Sequence, residues 1–404
     1  TRGVSIASIN DAPTFDAAEF YATLDVAGAA ERGQAVVVQP DGKILVAGYT
    51  GSQGSFDFLL VRYNADGSLD TGFGGGDGIV TTSLSAGDDK AHGLALQADG
   101  KIIVVGETST NGNDFAVLRY NADGSLDTLF GGGDGIVTTD FAGGSFDVAY
   151  RVVIQADGRI VVGGASGSGT TDFAVARYLA DGSLDASFSG DGKQMVDLAG
   201  SDDLGTGLAL DNTGRIVQVG AVLVGSDRDF GIVRYTTDGS LDTSFSGDGK
   251  LTTAVGTQWD IAQDVAVQAG GRIIVGGYSR FADNDVSLIG LNDDGTLDSG
   301  FGTAGVVTTN LGGNDSLWDL ALQPDGRIVV VGGGGGNHLL VARYLADGGA
   351  DTSFSGDGNL VLSRSSFEIL YAVDIAPDGR IVAAGYGTNA TEDLALLRLS
   401  ADGT

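Results

Sequence analysis

The chain has 404 residues, 42% of them hydrophobic, so it is long enough to bury a large core. Its 53 acidic and 22 basic residues give a formal net charge of −31, which disfavours binding to nucleic acid or to an anionic membrane surface. The absence of cysteine excludes disulfides and thiolate metal sites. No apolar run approaches the roughly 20 residues of a membrane-spanning helix, so we expect no membrane insertion.

In chain order, residues 1–13 are predicted to be a linker from a preceding domain, and residues 14–404 a single repeat domain. The chain begins with Thr1 and shows no signal peptide, so we expect it to be a segment of a longer protein. Residues 20–24, with the sequence Phe-Tyr-Ala-Thr-Leu, match the fourth strand of the repeat that follows.

A unit of about 57 residues then occurs seven times. Each unit contains a turn that ends in glycine, then a basic residue and an apolar run. The turn glycines are Gly42, Gly100, Gly158, Gly214, Gly271, Gly326 and Gly379. Repetition at a nearly fixed period indicates that the units stack against one another and share one core.

The third unit shows how each repeat is built. Residues 150–155 form the first predicted strand, the turn at Gly158 leads to the second at 159–164, and the third and fourth cover 172–178 and 194–198. Short β-branched runs separated by Asp-Gly and Gly-Gly turns are typical of antiparallel hairpins. Four such strands, apolar on both faces and repeated seven times, predict an all-β fold, a seven-bladed β-propeller of four-stranded antiparallel blades.

The two ends of the chain predict closure of the ring. The last unit stops at residues 400–404, before its fourth strand, whereas residues 14–25 contain the missing part, because residues 14–15 match residues 187–188. We therefore expect residues 14–25 to complete the last blade as its outermost strand, which removes both exposed sheet edges.

Two of the recurring residues are expected to be structural. A glycine closes the second strand of every unit, which indicates a close backbone approach or a positive φ. These glycines are Gly48, Gly106, Gly164, Gly220, Gly277, Gly332 and Gly385. An arginine recurs in the third strand at Arg62, Arg119, Arg177, Arg234, Arg343 and Arg398, with Gly290 in the fifth unit. We expect these arginines to bind the turns and carboxylates of the next blade rather than to form a ring of anion sites.

A carboxylate also stands eleven residues before each turn glycine. The seven are Glu31, Asp89, Asp147, Asp203, Asp260, Asp315 and Glu368. They could form a cation-attracting collar at the channel mouth. The alternative, which the strict recurrence favours, is that each accepts hydrogen bonds from the N–H groups of the loop entering the strand.

Turns rich in Asp and Gly offer the oxygen ligands that calcium prefers. In the first unit, Asp66, Asp70 and Asp77 are therefore candidate ligands of a structural calcium ion. Ordinary turns in which an Asp side chain binds a nearby backbone N–H explain the same residues without a metal. The sequence leaves both interpretations open.

Function is expected where the repeats differ, on the face that carries the variable loops. The start of the inner strand varies most, and its residues should ring the channel mouth. From these positions and the loops beside them, we predict a ligand site of His92, Tyr150, Arg151, Trp259, Asp264, Trp318, Asp319 and Tyr371. Aromatic rings beside carboxylates form platforms for sugars or peptide side chains. The alternative is that these aromatic residues only plug the channel.

The motif Asp-Gly-Lys/Arg-Ile-x-Val-x-Gly, followed by Arg-Tyr-x-x-Asp-Gly-Ser-Leu-Asp-x-x-Phe, resembles the "delta" repeat, of roughly sixty residues, of β-propellers in large secreted bacterial proteins. The resemblance covers residues 14–404 and implies a propeller in an extracellular setting, without a settled activity. Separately, Ile-Asn-Asp-Ala-Pro at residues 9–13 is similar to the junctions between cadherin-like domains of bacterial surface adhesins and calcium-dependent exported proteins. Together they imply a secreted or cell-surface module with neighbouring domains in the same long chain.

The sequence offers little for catalysis, because its two histidines, His92 and His338, lie in different units and belong to no recognisable triad or metal motif. We therefore predict a non-catalytic binding or adhesion module that recognises an extracellular glycan or protein ligand. A propeller enzyme, hydrolase or lyase, acting on an extracellular polymer is the alternative, and a passive spacer is the third possibility.

Overall fold

The computed structural model describes residues 3–7, 19–26, 28–109, 112–141, 143, 146–336, 338–363, 367–388 and 391–403. Within these ranges the chain forms 29 β-strands, and no helix long and apolar enough to span a membrane is found there. The first two strands are β1 (Gly3–Ala7) and β2 (Phe20–Asp25).

The next twenty-four strands form six blades of four consecutive strands, and each strand pairs antiparallel with the next. Blade 1 contains β3 (Ala30–Val38), β4 (Ile44–Ser52), β5 (Ser55–Tyr63) and β6 (Ile79–Thr82). Blade 2 contains β7 (Asp89–Leu96), β8 (Ile102–Thr108), β9 (Asp114–Tyr120) and β10 (Ile136–Thr139). Blade 3 contains β11 (Phe146–Ile154), β12 (Ile160–Gly167), β13 (Asp172–Tyr178) and β14 (Lys193–Val196).

The second half of the ring repeats this order. Blade 4 contains β15 (Asp203–Leu210), β16 (Ile216–Val224), β17 (Asp227–Tyr235) and β18 (Lys250–Thr253). Blade 5 contains β19 (Asp260–Val267), β20 (Ile273–Arg280), β21 (Asn284–Leu291) and β22 (Val306–Thr309). Blade 6 contains β23 (Ser316–Leu322), β24 (Ile328–Gly334), β25 (His338–Tyr344) and β26 (Asn359–Leu362). Blade 7 begins with β27 (Glu368–Ile375), β28 (Ile381–Thr388) and β29 (Glu392–Leu399).

Strand β2 completes blade 7 by pairing antiparallel with β29, with Phe20 opposite Arg398, so the predicted closure is confirmed. It is not the outermost strand, because β1 pairs with its free edge as a fifth strand. The innermost strands form a continuous ring in which β27 contacts β3. The motif at residues 9–13 and the match at residues 14–15 lie outside the described residues, and the division at residue 13 stays a prediction.

The core lies between blades, since both faces of each sheet are apolar. At the closing junction, Val46 and Leu59 of blade 1 pack in one cluster with Leu396 of blade 7 and Leu24 of the N-terminal strand. Each of these side chains is buried and contributes about 1.5–3 kcal/mol of hydrophobic stabilisation. The N-terminal segment is therefore part of the core, and its removal would open it.

Every inner strand contains a β-bulge near its start. In β7, the register with β8 shifts between Ala91 and Gly93, so His92 has no partner residue in the ladder. The corresponding bulge residues in the seven blades are Gln34, His92, Tyr150, Thr206, Gln263, Trp318 and Tyr371. These are the residues that stand eight positions before each turn glycine.

The bulge explains the recurring glycine of the second strand. A Cβ atom at Gly106 would overlap the carbonyl oxygen of Lys90, which the bulge brings against β8. The other six glycines meet the same carbonyl of their own inner strand. None of the seven has a positive φ, whereas the turn glycines have φ between 83° and 87°. Of the two predicted reasons for the recurring glycine, close backbone approach is therefore confirmed and a positive φ is wrong.

The recurring arginine connects neighbouring blades. Arg62 Nε donates to Asp70 Oδ2 at 2.7 Å, its guanidinium carbon lies 4.4 Å from the centre of the Phe73 ring, and its Nη1 donates to the carbonyl oxygen of Ala122 in blade 2 at 2.5 Å. The predicted contact with the next blade is confirmed for its turn. Asp70 belongs to the same repeat and not to the next one, because it lies only eight residues further along a tight turn. The predicted contact with a carboxylate of the next blade is seen at Arg234, whose Nη1 donates to Asp293 Oδ1 at 2.9 Å.

In blade 5 a different arginine makes the contact with the next blade. Gly290 replaces the third-strand arginine there, and Arg272, which directly precedes the second strand, takes its place. Arg272 Nε donates to Asp298 Oδ2 at 2.6 Å, and its Nη1 donates to the carbonyl oxygen of Ala346 in blade 6 at 2.9 Å. The inter-blade contact is thus kept by a different side chain.

Deleting residues 1–25 should expose the edge of β29 and the core beneath it. We expect the free energy of unfolding to fall by roughly 5 kcal/mol or more, with aggregation, because several buried side chains and one edge strand are lost. Thermal melting and size-exclusion chromatography measure this. Deleting only residues 1–7, which removes β1, is the matched control and should change melting far less. Unchanged melting of the longer deletion would contradict closure by β2.

Replacing Gly106 by Ala should lower the free energy of unfolding by about 3 kcal/mol or more, because the new methyl group must displace main-chain atoms at the bulge. Gly270→Ala is the control, since a Cβ there meets no atom within 4 Å and the residue has no positive φ. Chemical denaturation of both variants measures the difference, and equal stabilities would show that the bulge can relax.

Candidate functional site

The seven bulge side chains line one cavity of about 380 Å³ where the inner strands of all seven blades converge. A bulge redirects its side chain away from the regular alternation of the strand, which here turns it toward the ring axis. Five of the predicted ligand residues line this cavity: His92, Tyr150, Arg151, Trp318 and Tyr371. We call this space the mouth cavity.

Aromatic rings form a continuous wall along one side of the mouth cavity. Trp318 packs edge-to-face on Tyr371, with ring centres 5.2 Å apart, and Tyr371 stacks on Tyr386 at 5.9 Å. Tyr278 extends the wall on the other side of Trp318 at 6.3 Å. The Trp318 Nε1 atom is buried and has no hydrogen-bond partner among the described residues. The wall therefore combines apolar faces with an unused donor.

Arg151 crosses the channel. It belongs to blade 3, yet its Nη2 atom lies 3.1 Å from Asp319 Oδ1 of blade 6, and its Nε atom lies 3.6 Å from Asp264 Oδ1 of blade 5. Blades 3 and 6 are not neighbours, so the side chain must span the axis. The three charged groups form the base of the mouth cavity.

The two carboxyls of this base share an unusual environment. Burial raises the pKa of Asp264, and burial together with the adjacent Asp264 carboxyl raises the pKa of Asp319 well above its usual value. Arg151 opposes both shifts. The main-chain N–H groups of Leu320 and Val373 donate to Asp264 Oδ2 at 3.3 Å and Asp319 Oδ2 at 2.7 Å. The carboxyls are thus held in place by the scaffold.

Three of the predicted site residues do not line the mouth cavity. Two of them contact Arg151, which does line it, and the third lies outside the cavity. Asp264 and Asp319 lie beneath the lining residues and contact Arg151. Trp259 is on the loop before β19, 55% exposed, and is absent from the lining. Its place in the loop, rather than at the bulge, explains why the prediction that grouped it with Trp318 does not match the geometry.

The basic residues Arg32 and Lys90, near the mouth cavity, are engaged in ion pairs. Arg32 makes two hydrogen bonds of 2.6 Å to the Glu392 carboxylate of blade 7 and lies over the Tyr386 ring at 4.4 Å. Lys90 Nζ lies 3.1 Å from Asp88 Oδ2. The mouth cavity therefore presents aromatic and polar groups rather than a strong positive field.

Sequence reasoning missed Tyr49 and Tyr278, which also line the mouth cavity. Each follows the recurring glycine of the second strand and pairs across the ladder with a residue just before the bulge, Tyr49 with Arg32 and Tyr278 with Ile261. The sequence could have indicated these residues, because the position after the recurring glycine varies among the repeats as widely as the bulge position does. The equivalent residues are Tyr49, Glu107, Ala165, Ala221, Tyr278, Gly333 and Tyr386.

The seven recurring carboxylates are fully buried, at 0% exposure, and several bind the entering loop as predicted. Asp89 accepts hydrogen bonds from the N–H groups of Leu84 and Ser85 at 2.7 Å each, and from the hydroxyl of Thr108 at 2.6 Å. Loop N–H groups also donate to the carboxylates of Asp147, Asp203, Asp260 and Asp315. This explanation is confirmed at these five positions, and an open collar around the mouth is not needed to account for them.

Glu31 differs from the aspartates because it has fewer donors. It accepts a hydrogen bond from the Thr50 hydroxyl at 2.9 Å and one from the Val26 backbone, and its Oε2 atom has no partner among the described residues. Burial raises the pKa of Glu31 to about 7. An ionised Glu31 is therefore unfavourable in the folded state.

The three residues predicted to bind calcium do not come together. Asp66 Oδ1 accepts the N–H of Ser68, and Asp77 Oδ1 accepts that of Ile79, each at 3.0 Å. Asp70 Oδ2 is bound by both Lys43 and Arg62. Hydrogen bonds within turns and ion pairs account for these carboxylates, as the metal-free interpretation expected.

Two other groups of acidic residues could hold metal ions. They are Asp114, Asp140 and Asp147 between blades 2 and 3, and Asp172, Asp197 and Asp203 between blades 3 and 4. Within each group, one oxygen of each residue lies within 4.8 Å of the others. Sequence reasoning placed only the last aspartate of each group in a recurring set.

Comparison with known proteins supports the repeat structure. The model of the family described as domain of unknown function (DUF5122) beta-propeller matches residues 39–73, 97–130, 155–188, 212–245, 268–301, 323–354 and 376–404. Each matched segment begins before the turn between the first two strands of one blade and covers its second and third strands. No curated protein matches the chain.

Solved structures resemble the chain at low sequence identity. A protein from Lactobacillus plantarum has a TM-score of 0.51 at 14% identity, over 89% of this chain and 99% of that one. The periplasmic gluconolactonase of Pseudomonas aeruginosa has 0.50 at 16%, over 82% and 84%. A polysaccharide lyase of family PL25, an ulvan lyase, has 0.50 at 12%, over 92% and 95%. At these identities the likeness shows the fold alone.

Replacing Glu31 by Gln should stabilise the protein at pH 8 by about 1–3 kcal/mol. The folded-state pKa of about 7 lies above the ordinary 4.5, so the folded protein holds a proton that the unfolded chain has released. The free energy of unfolding therefore falls as the pH rises from about 4.5 to 7, and the variant should lose this fall.

Urea denaturation across this pH range measures the effect. Asp89→Asn is the control and should destabilise the protein at pH 8, because its carboxylate accepts several hydrogen bonds that an amide weakens. Parallel pH profiles for Glu31→Gln and the unaltered chain would contradict the assignment.

Proposed function

Because the chain belongs to the DUF5122 β-propeller family, whose description assigns no activity, we propose its function from the site: a non-catalytic binding module whose ligand enters the mouth cavity. The observation that carries the proposal is that seven bulge residues, fixed in backbone position but different in chemistry, converge on this one space. A rigid scaffold with variable side chains at one place is the usual arrangement of a binding site.

A glycan fits the chemistry of the cavity best. The faces of Trp318, Tyr371 and Tyr278 offer the flat apolar surface on which a sugar ring can stack. Gln34, Thr206 and Gln263 add amide and hydroxyl groups, and Trp318 adds a buried N–H without a partner. A peptide side chain could use the same rings, so a protein ligand is the second member of this class.

The described residues that line the mouth cavity include no carboxylate and no thiol, and their only imidazole is His92. Besides His92 and four tyrosines, the described lining offers no group for proton transfer, which favours binding over catalysis. One observation favours the alternative, an enzyme acting on an extracellular polymer: the raised pKa of Asp319, which would suit a general acid. Both Asp319 oxygens are, however, bound by Arg151 and the Val373 N–H.

The setting also belongs to the proposal. The resemblance of the repeats to those of large secreted bacterial proteins supports an exported or cell-surface location, with neighbouring domains in the same chain. The net charge of −31 supports a partner other than nucleic acid. Calcium, where the chain binds it, acts here as a structural ion and not as part of the ligand site.

A glycan array probed with the whole chain identifies the ligand, and Trp318→Ala tests the site. We expect the variant to bind about 5- to 150-fold more weakly, corresponding to about 1–3 kcal/mol, because an aromatic anchor is lost. Trp259→Ala is the matched control: it removes the other tryptophan, which lies outside the cavity, and should leave the affinity unchanged. Circular dichroism and melting curves establish that both variants fold.

The outcomes separate the alternatives. Equal affinities of Trp318→Ala and the unaltered chain would place the ligand elsewhere. Shortened glycans after incubation would support the enzyme, and Asp319→Asn should then abolish cleavage. Binding to a protein but to no glycan would support a protein ligand. Trp318→Ala should then weaken the binding of that protein to the same extent.

A further inference from the structure

Three carboxylates from three separate segments meet where blade 3 packs against blade 4. Asp172 begins β13, Asp197 follows the end of β14, and Asp203 begins β15. Each offers an oxygen within 4.8 Å of an oxygen of the other two. Like charges held this close repel one another, so the arrangement is unfavourable unless something between them carries positive charge.

Asp203 supplies a second, independent observation. Its side chain is fully buried, at 0% exposure, and only its Oδ2 atom is used, accepting the Leu198 N–H at 2.8 Å. The Oδ1 atom has no hydrogen-bond partner among the described residues. A buried carboxylate oxygen without a donor is costly, and such atoms are normally satisfied by a donor or a cation. The unsatisfied oxygen therefore points to a missing positive partner.

The chain itself does not provide that partner. In the part of the structure that is described, no lysine or arginine forms an ion pair with any of the three carboxylates. Lys250 comes near, but its Nζ atom donates to the main-chain oxygen of Asp197 at 3.1 Å. Two arginines of blade 3, Arg159 and Arg177, are instead bound to Asp185, and Arg151 reaches across the channel to Asp264 and Asp319.

We propose that Asp172, Asp197 and Asp203 bind a calcium ion that fastens blade 3 to blade 4. The ligands are all oxygen, which favours a hard cation over zinc or copper. Three carboxylate oxygens within 4.8 Å of one another can contact a single ion, and calcium accepts the irregular geometry and the water ligands that would complete the site, whereas magnesium demands a near-ideal octahedron.

The neighbouring junctions provide matched comparisons within the same chain. Asp114, Asp140 and Asp147 occupy the equivalent positions between blades 2 and 3, so a second ion is expected there. Between blades 4 and 5 the equivalents are Asp229, Ala254 and Asp260, because Phe230 pairs with Thr253 as Phe173 pairs with Val196. Ala254 leaves the position of Asp197 without a carboxylate at that junction, so we expect no ion there. This inference is independent of the ligand proposed for the mouth cavity.

The test uses the whole chain, freed of metal with a chelator and titrated with calcium by calorimetry and native mass spectrometry. We expect two calcium ions per chain, and a rise in melting temperature of at least about 2 °C in millimolar calcium. Asp197→Asn, at an exposed position, should lose one ion, with at least about a tenfold loss of affinity at that site. Asp203→Asn is less suitable, because its carboxylate also holds the Leu198 N–H and the variant could unfold.

Two further variants make the outcome decisive. Asp229→Asn removes a carboxylate at the junction that lacks the third one, and should leave the number of bound ions unchanged. Ala254→Asp should add one ion, because it completes the set between blades 4 and 5. No binding in millimolar calcium, tighter binding of magnesium, or the same number of ions in Asp197→Asn as in the unaltered chain would each overturn the proposal.

Discussion

The β-bulge in the inner strand of each blade is the constraint on which the rest of the structure depends. It leaves one residue outside the ladder, such as His92 in β7, and turns that side chain toward the ring axis. It also presses a carbonyl oxygen against the second strand, where only a hydrogen atom fits, so that Gly106 and its six equivalents are required. One backbone irregularity thus sets both the recurring glycine and the lining of the mouth cavity.

The two faces of the ring differ in how their charged side chains are paired. On the face of the short turns, bases such as Arg62 and Lys43 converge on Asp70, and Arg62 continues to the next blade. That face is therefore similar from one repeat to the next. On the variable-loop face, buried acids at the blade junctions outnumber their basic partners, and the side chains at the bulges differ from blade to blade. We expect function on the variable-loop face, because the side chains at the bulges there are not constrained by the repeat structure.

The seven blades, their four strands and the closure by the N-terminal strand could be predicted from the sequence, because turn residues and alternating apolar runs act locally. The bulge positions were also recognised as the most divergent ones. The role of the recurring arginine was predicted only in part. Its contact with the next blade follows from its recurrence in the sequence, but the partner of Arg62, Asp70, lies in its own repeat. In blade 5, where Gly290 stands in place of the arginine, the contact made by Arg272 becomes visible only in the folded chain.

By itself, the sequence determined the period, the strands and the conformation of the turns, because these depend on residues close together in the chain. Only the tertiary structure decided which repeats face one another across the axis. Arg151 reaches Asp264 and Asp319 because ring closure brings blades 3, 5 and 6 to one point, and Trp259 is excluded because its loop lies outside that point. The cluster of Asp172 and Asp203 likewise depends on how two blades pack, a distance that no local pattern encodes.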